Sequence, residues 1–201
     1  MTSAPPGLPA MPPSASAGPP APPPPSRLQR ILVYRVLLLL AAGVLALDQA
    51  TKAWISARLP YPTWGPPGQI AVIPGFFNLV DVGNTGAAWS LFSGRSTFLA
   101  ALALATLVAI FAWRHHLGLR RWPVQLSFGL LCGGIAGNLV DRIARGHVVD
   151  FLDFHFGSYT YPTFNVADSG ICVGVIIYLV YSLLQPEEPA PGRTERSGGP
   201  G

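Results

Sequence analysis

The chain has 201 residues, of which 50% are hydrophobic and only 11% are charged, and its formal net charge is +4. Soluble domains carry about 25% charged residues, so this composition argues against an ordinary soluble enzyme and favours a chain that is partly solvated by lipid. The 13 basic residues are scattered or flank apolar runs, without the dense basic face that nucleic-acid binding needs. We therefore expect a membrane protein with no nucleic-acid partner.

Two biased segments border the apolar part of the chain. Residues 1–26 consist almost entirely of Pro, Ala, Ser and Gly, and residues 186–201 are rich in Pro, Glu and Gly. Such segments cannot bury enough apolar surface to offset the entropy that ordering costs. We predict disordered tails at 1–26 and 186–201, on either side of a membrane domain at 27–185.

Four apolar stretches divide the domain, at residues 31–47, 96–113, 122–140 and 169–184. Each is long enough, at roughly 16 to 19 residues plus polar ends, to cross a hydrocarbon core as a helix. The alternative for the first stretch is a cleaved signal peptide, since its uninterrupted apolar part is only about a dozen residues. The excess of Lys and Arg beside the stretches favours four spans with both termini in the cytoplasm.

Acidic residues are distributed unevenly. Between the two tails there is no glutamate, and the six aspartates are Asp48, Asp81, Asp141, Asp150, Asp153 and Asp168. In the predicted topology all six lie outside the membrane or at the outer ends of helices. This one-sided distribution predicts that the outer interface is the working face.

Three polar positions at helix ends have both structural and functional interpretations. Asp48 and Lys52 are four residues apart, so they share a helix face, and an ion pair is the favoured interpretation over a chemical role. Asn138 ends an apolar turn and must find partners, either on another helix or in a polar cavity. Asp168 begins the fourth stretch, where it is equally an N-cap or a functional group.

The segment 146–154 is rich in strand formers and predicts a short strand or extended loop at the membrane surface. Asp150 lies between Val149 and Phe151, and an apolar setting of this kind raises the pKa of a carboxyl group. Two such carboxyl groups brought together share a proton, as aspartic proteases require. The pattern predicts a dyad but does not choose two of the six aspartates.

Other catalytic systems fit the sequence less well. No serine lies in a Gly-x-Ser-x-Gly elbow, and no histidines have the His-Glu-x-x-His spacing of a zinc site. A metal site that uses His147 and His155 is disfavoured, and we expect no metal and no cofactor. Cys132 and Cys172 are interpreted as small apolar helix residues. Gly129, Gly133 and Gly137 recur every four residues, which predicts close helix packing.

Five short motifs occur in one order along the chain. They are Asp48-Gln49-x-x-Lys52, Asn84-Thr85-Gly86-Ala87-Ala88, Gly133-Gly134-x-x-Gly137-Asn138-Leu139-x-Asp141-Arg142, Gly146-x-Val148-Val149-Asp150-Phe151 and Phe164-Asn165-x-Ala167-Asp168-Ser169. Each is weak alone, but together, from about residue 48 to residue 168, they resemble the lipoprotein signal peptidases, also called signal peptidase II. These are four-helix membrane aspartyl proteases of bacteria.

The resemblance implies that Asp150 and Asp168 are the catalytic pair. The supporting and substrate-binding positions that it implies are Asp48, Lys52, Asn84, Gly86, Asn138, Asp141, Arg142 and Asn165. One departure is Trp89, which stands where the family usually has Phe.

The resemblance also implies the substrate, the fold and the location. The substrate is a prolipoprotein whose cysteine carries diacylglycerol, cut just before that cysteine. The fold is an all-α membrane protein with four transmembrane helices and a small extracytoplasmic β platform between the first two, at about residues 60–80. The stretch 154–164 is expected to cover the site as a mobile flap. We expect a monomer in the bacterial inner membrane, in contact with membrane lipids, with its active site at the outer face.

Two alternatives place ionisable groups differently. A non-enzymatic transporter or channel carries them near the membrane midplane and often breaks its helices there, whereas these stretches have no central acids or prolines. A presenilin-like protease has a Gly-x-Gly-Asp pattern, which the chain does not have.

Overall fold

The computed structural model describes residues 26–87 and 91–185. The predicted tails, except for Ser26, and the unusual Trp89 lie outside the described residues. In the described residues five helices and four strands follow one another: α1 (Arg27–Leu32), α2 (Arg35–Arg58), β1 (Ile70–Ile73), β2 (Phe77–Asn84), α3 (Ser96–Ala112), α4 (Trp122–Arg145), β3 (Val148–Phe156), β4 (Tyr159–Thr160) and α5 (Val166–Leu183).

The first helical region is broken near its start and extends beyond the apolar stretch. Helix α1 ends at Leu32 and α2 begins at Arg35. The Gln125 side chain of α4 lies at this break, where its amide donates to the Val33 carbonyl at 2.7 Å and its oxygen accepts from the Leu37 N–H at 3.4 Å. The helix continues beyond the apolar stretch from residue 48 to residue 58. Asp48 and Lys52 are buried in this extension, and their burial is tolerated because the two side chains form an ion pair.

Helix α4 is the centre of the bundle and packs against α2, α3 and α5. Its glycines allow the close approach. A Cβ atom at Gly133 would lie 2.7 Å from the Ala41 carbonyl oxygen of α2, and one at Gly134 would overlap the backbone of Ala167 in α5. The predicted packing stripe of Gly129, Gly133 and Gly137 is confirmed, and it lies against α2. Gly134, which is outside the predicted stripe, allows the close approach of α5.

In the described part of the chain, three helices are long and apolar enough to cross a membrane: α2, α4 and α5. Helix α3 is also apolar but has only 17 residues. Its outward face carries exposed Phe98, Leu102, Leu104, Val108 and Phe111. The chain is thus a multi-pass membrane protein.

The sheet is larger than the predicted platform and makes the protein more than an all-α bundle. Four antiparallel strands lie in the order β1-β2-β3-β4, so two of them come from the segment after α4. The predicted strand at 146–154 is confirmed as β3. Helix α4 ends at Arg145 and is capped by Gly146, whose φ of 76° lets the chain turn sharply into β3. This turn brings β3 back across the end of α4 and places Val82 of β2 opposite Asp150.

Candidate active site

Asp150 and Asp168 meet at the junction of the sheet and the bundle, on either side of Asn165. The Asn165 side-chain amide donates to Asp150 Oδ1 at 2.7 Å. Its side-chain oxygen accepts from the Asp168 N–H at 2.9 Å, while its own N–H donates to Asp168 Oδ2 at 3.3 Å. Asn165 is therefore the N-cap of α5, and Asp168 completes its capping box. The simple N-cap interpretation of Asp168 is corrected.

Both aspartates line a cavity of about 1050 Å³. The walls of this cavity come from β2, β3, β4, α4, α5 and the loops between them. The described residues that line it include Asn84 at the end of β2 and Gly86 after it, Asn138 and Arg142 of α4, Trp64 from the loop before β1, and Tyr161 and Phe164 after β4. The cavity is large enough for an extended peptide segment with attached groups.

A second amide donor orients each carboxylate. Asn84 donates to Asp150 Oδ2 at 2.9 Å, and Asn138 donates to Asp168 Oδ1 at 2.7 Å. With the bonds from Asn165, both oxygens of each carboxylate accept at least one hydrogen bond. Two acids from different elements are thus fixed in orientation by three asparagines.

The pKa of Asp150 is displaced toward neutrality. The residue is only 2% exposed, and burial followed by the nearby Asp168 charge raises the pKa of Asp150 to about 7. Hydrogen bonds from Asn84 and Asn165 act in the opposite direction and lower the pKa of Asp150. The expectation that an apolar setting raises this pKa is confirmed, and the charge of a neighbouring carboxylate adds to it.

Below the dyad lies a fully buried ion cluster centred on Lys52. The Lys52 ammonium group forms ion pairs with Asp48 Oδ2 at 2.9 Å and with Asp141 Oδ2 at 2.8 Å. It also donates a hydrogen bond to Asn138 Oδ1 at 3.0 Å. All three charged side chains are fully shielded from solvent. The predicted Asp48–Lys52 ion pair is confirmed, and Asp141 is a second partner that the sequence spacing did not predict.

The two acids of this cluster also hold the backbone beside the dyad. Asp48 Oδ1 accepts the N–H of Ala167 at 2.9 Å, and Asp141 Oδ2 accepts the N–H of Val149 at 3.2 Å. Each of these amides belongs to the residue just before a dyad aspartate. Lys52 therefore connects the two backbone segments that carry the carboxylates.

Arg142 and Asn84 fix the loop that follows β2. Arg142 donates to the Gly86 carbonyl at 2.8 Å, and Asn84 Oδ1 accepts the Gly86 N–H at 2.8 Å. A Cβ atom at Gly86 would lie 2.7 Å from the Leu91 carbonyl oxygen, so the loop folds tightly here. The buried Arg142 Nε has no hydrogen-bond partner among the described residues, and the side chain lines the cavity.

The structure also separates the six aspartates. Asp81 is a buried residue of β2 that does not line the cavity. Burial raises the pKa of Asp81, and a hydrogen bond with Ser56 acts in the opposite direction. Asp153 lines the cavity but is bonded to His155 at 2.6 Å and to Asn78 at 3.2 Å. Asp150 and Asp168 both line the cavity and are joined to each other through Asn165.

Sequence reasoning missed two polar contacts near the site. Gln49, present in the first motif but not singled out, donates to Asp48 at 3.1 Å and to Asp141 at 3.3 Å. The Asp153–His155 pair was not predicted, although an i,i+2 spacing on a strand places two side chains on one face. Among the described residues no group of three or more His, Cys, Asp or Glu side chains is arranged to hold a metal ion.

The sequence and fold are similar to those of known proteins. The family described as signal peptidase (SPase) II matches residues 40–184. The chain is 47% identical over 147 residues to the lipoprotein signal peptidase of Oleidesulfovibrio alaskensis, covering 69% of this chain and 88% of that protein. It is 41% identical over 172 residues to the lipoprotein signal peptidase of Nitratidesulfovibrio vulgaris, covering 82% and 98%. A solved structure of a bacterial membrane enzyme superposes with a TM-score of 0.68 at 31% identity, covering 78% of this chain and 95% of that one.

Proposed function

The chain belongs to the signal peptidase II family, and we propose that it removes signal peptides from prolipoproteins with Asp150 and Asp168 as an aspartic-type dyad. The bond that is cut lies just before a diacylglyceryl-modified cysteine. The observation that supports this dyad is that Asn165 hydrogen-bonds to both carboxylates, which line one cavity.

The proposed reaction uses one shared proton and one water molecule. With Asp150 protonated near neutral pH, Asp168 takes a proton from water, and the water oxygen attacks the scissile carbonyl carbon. Asp150 gives its proton to the carbonyl oxygen. In the second step Asp168 passes its proton to the leaving nitrogen, the C–N bond breaks, and Asp150 regains its proton from the collapsing hydroxyl group. The peptide bond is cut, and the dyad returns to its starting state.

The supporting residues divide into two groups in this proposal. Asn84, Asn138 and Asn165 orient the carboxylates and stay bonded to them as protons move. Arg142 and Gly86 line the cavity, where the guanidinium is available to a substrate carbonyl or ester oxygen. Asp48, Lys52 and Asp141 act through the backbone that they hold.

The membrane arrangement follows from the same proposal. Helices α2, α3, α4 and α5 make four spans, with both termini in the cytoplasm of a bacterial inner membrane and the dyad at the outer face. The sheet and the 154–164 stretch hold the lipid-modified cysteine at that level, while its acyl chains and signal helix remain in the bilayer. The protein acts as a monomer, without a cofactor.

The test is cleavage of a diacylated prolipoprotein by the purified full-length chain, with the N-terminus of the product determined by mass spectrometry. Asp150→Asn and Asp168→Asn are expected to lower the rate by about 10³-fold or more, since each removes a general acid–base group. Asp153→Asn is the matched control, because it changes a cavity aspartate on the same strand as Asp150. Full cleavage by either dyad variant contradicts the assignment. Ion or solute flux through proteoliposomes without cleavage would instead favour the transporter alternative.

A further inference from the structure

The cavity beside the dyad has two sides of different character. Along α5 its lining continues from Asp168 to Ile171 and Cys172, which lie about 5 Å further along the helix axis at a rise of about 1.5 Å per residue. On the sheet side the cavity is lined by residues 160–163, which we call the polar wall. The hydroxyl groups of this wall belong to Thr160, Tyr161 and Thr163. The cavity is therefore apolar deeper along α5 and polar along the segment that begins in β4.

The polar wall is attached to β3 by a short ladder of backbone bonds. Strand β4 has only two residues, Tyr159 and Thr160. After it, the Tyr161 N–H donates to the Phe154 carbonyl at 2.9 Å, and the Phe164 N–H donates to the Leu152 carbonyl at 3.2 Å. Because the ladder is short, side-chain contacts between the wall and β3 contribute to the position of the wall.

His155 of β3 makes the side-chain contact that holds the wall. Its Nε2 lies 2.6 Å from Asp153 Oδ2, and its Nδ1 lies 3.2 Å from Thr160 Oγ1. An ionised carboxylate only accepts hydrogen bonds, so Nε2–H donates to Asp153 and Nδ1 is left to bond to the Thr160 hydroxyl. Asp153 is only 5% exposed and also accepts from Asn78 at 3.2 Å. His155 therefore connects the wall to a carboxylate that is itself fixed within the sheet.

The proposed substrate also has two parts of different character. The signal peptide before the cleaved bond and the acyl chains on the cysteine are apolar, whereas the polypeptide after the cysteine leads away from the membrane. In the proposed arrangement α5 runs from the dyad into the bilayer, and the sheet lies outside it. Polar main-chain groups that leave water need hydrogen-bond partners, and the polar wall offers them on the side that faces away from the bilayer.

We propose that the polar wall binds the polypeptide segment that follows the lipidated cysteine, and that His155 is the positioning residue that holds the wall for this contact. The inference rests on the proposed function and assigns one side of its cavity to the start of the released lipoprotein. His155 acts through Thr160, since both of its ring nitrogens are engaged within the protein. Asp153→Asn keeps an oxygen acceptor for His155 Nε2–H, so it leaves this contact in place.

The experiment compares two diacylated prolipopeptides as substrates of the purified full-length chain in one detergent. They share the signal sequence and the lipidated cysteine; one ends there as an amide, and the other continues with several serine and glycine residues. The wild type is expected to cleave the longer peptide with a KM about fivefold lower or more, the factor that one hydrogen bond contributes. His155→Ala is expected to lose this preference through a higher KM for the longer peptide, with kcat unchanged, because binding and not chemistry is impaired.

The matched control is His147→Ala, which removes the same side chain immediately before β3. His147 stacks on Tyr61 with ring centroids 5.3 Å apart and does not line the cavity, so this variant is expected to keep the wild-type preference. Thr160→Val removes the hydroxyl that contacts His155 but keeps the shape of the side chain, whereas Thr160→Ser keeps the hydroxyl. The preference is expected to be lost in the first and kept in the second. This pair covers the case in which His155→Ala does not fold.

Binding measurements separate this inference from the proposed cleavage. Both peptides, carrying a fluorophore, are titrated against Asp168→Asn, alone and combined with His155→Ala, and the dissociation constants are measured by fluorescence anisotropy. No cleavage by the wild type, together with a binding preference that depends on His155, would contradict the dyad and support the polar wall. Equal KM values of the wild type for the two peptides overturn the inference. An unchanged preference in both His155→Ala and Thr160→Val does the same, because a residue that only supports the fold does not discriminate between the peptides.

Discussion

Asp48 of α2 accepts the backbone N–H of Ala167 at 2.9 Å, so a helix far away in sequence fixes the residue that precedes Asp168. Asp141 does the same for Val149, which precedes Asp150. Because Lys52 contacts both acids, the spacing of the dyad depends on a single buried cation. The positions of the two proposed catalytic aspartates are thus fixed both by hydrogen bonds to the backbone amides that precede them and by hydrogen bonds from three asparagines to their carboxylates.

Replacing Lys52 with Met is expected to destabilise the protein severely. The change leaves two carboxylates buried without their cation, and breaking a buried ion pair costs about 3–5 kcal/mol. Thermal unfolding in detergent measures the loss. Arg58→Met, at the exposed end of the same helix where the cation lies over Trp54, is the control and is expected to cost about 1 kcal/mol or less. Similar losses of stability in the two variants would show that the buried ion cluster does not stabilise the fold more than an exposed cation does.

We expect kcat/KM of the wild type to decrease as the pH rises above about 7. Burial and the Asp168 charge raise the pKa of Asp150 to about 7, so above that pH the dyad loses the proton that protonates the carbonyl oxygen. The limb of log kcat/KM against pH then has a slope of about −1. A profile that stays flat to pH 9 would contradict this role. The fitted value belongs to the coupled pair of carboxyls.

The same pKa shift has a consequence for stability. The pKa of Asp150 is higher in the folded chain than in the unfolded one, so its contribution to stability is complete below about pH 4 and is lost as the pH rises through about 7. Thermal unfolding of the wild type and of Asp150→Asn, measured between about pH 4 and pH 7, tests the direction of this change in stability. The difference in unfolding temperature, wild type minus variant, is expected to decrease with rising pH; an increase would contradict the shift.

Replacing Asn84 with Ala is expected to move the alkaline limb to higher pH. The hydrogen bond from Asn84 lowers the pKa of Asp150, so its removal raises that pKa further, by about 0.5–1 unit for a bond worth about 1 kcal/mol. The kcat/KM profile measures the shift. Asn78→Ala removes the hydrogen bond from the corresponding amide to Asp153 on the same pair of strands. In this control, kcat/KM is expected to decrease at the same pH as in the wild type. A shift of equal size in both variants would mean that the sheet, not the bond to Asp150, sets the pKa.

Replacing Gly137 with Ala is expected to impair both stability and turnover. A Cβ atom there would lie 2.5 Å from Asp48 Oδ2, so Asp48 must move away from the Ala167 amide, and overpacking of this kind costs about 1–3 kcal/mol. Gly43→Ala in α2 is the control, since its Cβ would meet nothing within 4 Å and a helix gains about 0.5–1 kcal/mol from the change. Unfolding temperature and kcat are measured for both. Wild-type kcat in Gly137→Ala would show that Asp48 does not position Asp168.

The sequence by itself determined the apolar helices and the family motifs, because hydropathy and spacing are local properties. It also predicted that β3 is extended and that Asp150 has a raised pKa, since strand formers and apolar neighbours surround it. Composition and residue patterns alone left open which two of the six carboxylates meet, and only the family resemblance named Asp150 and Asp168.

The physical contact between these two aspartates' surroundings is made by tertiary structure. The pairing of β2 with β3, the turn at Gly146 and the capping box of Asn165 bring residues 84, 150 and 168 to one cavity. The second partner of Lys52 and the hydrogen bond from Asn78 of β2 to Asp153 of β3 depend on helices and strands that are distant in the chain. Local patterns specify what each segment is, whereas contacts between segments depend on how close the glycines of α4 allow its neighbours to come.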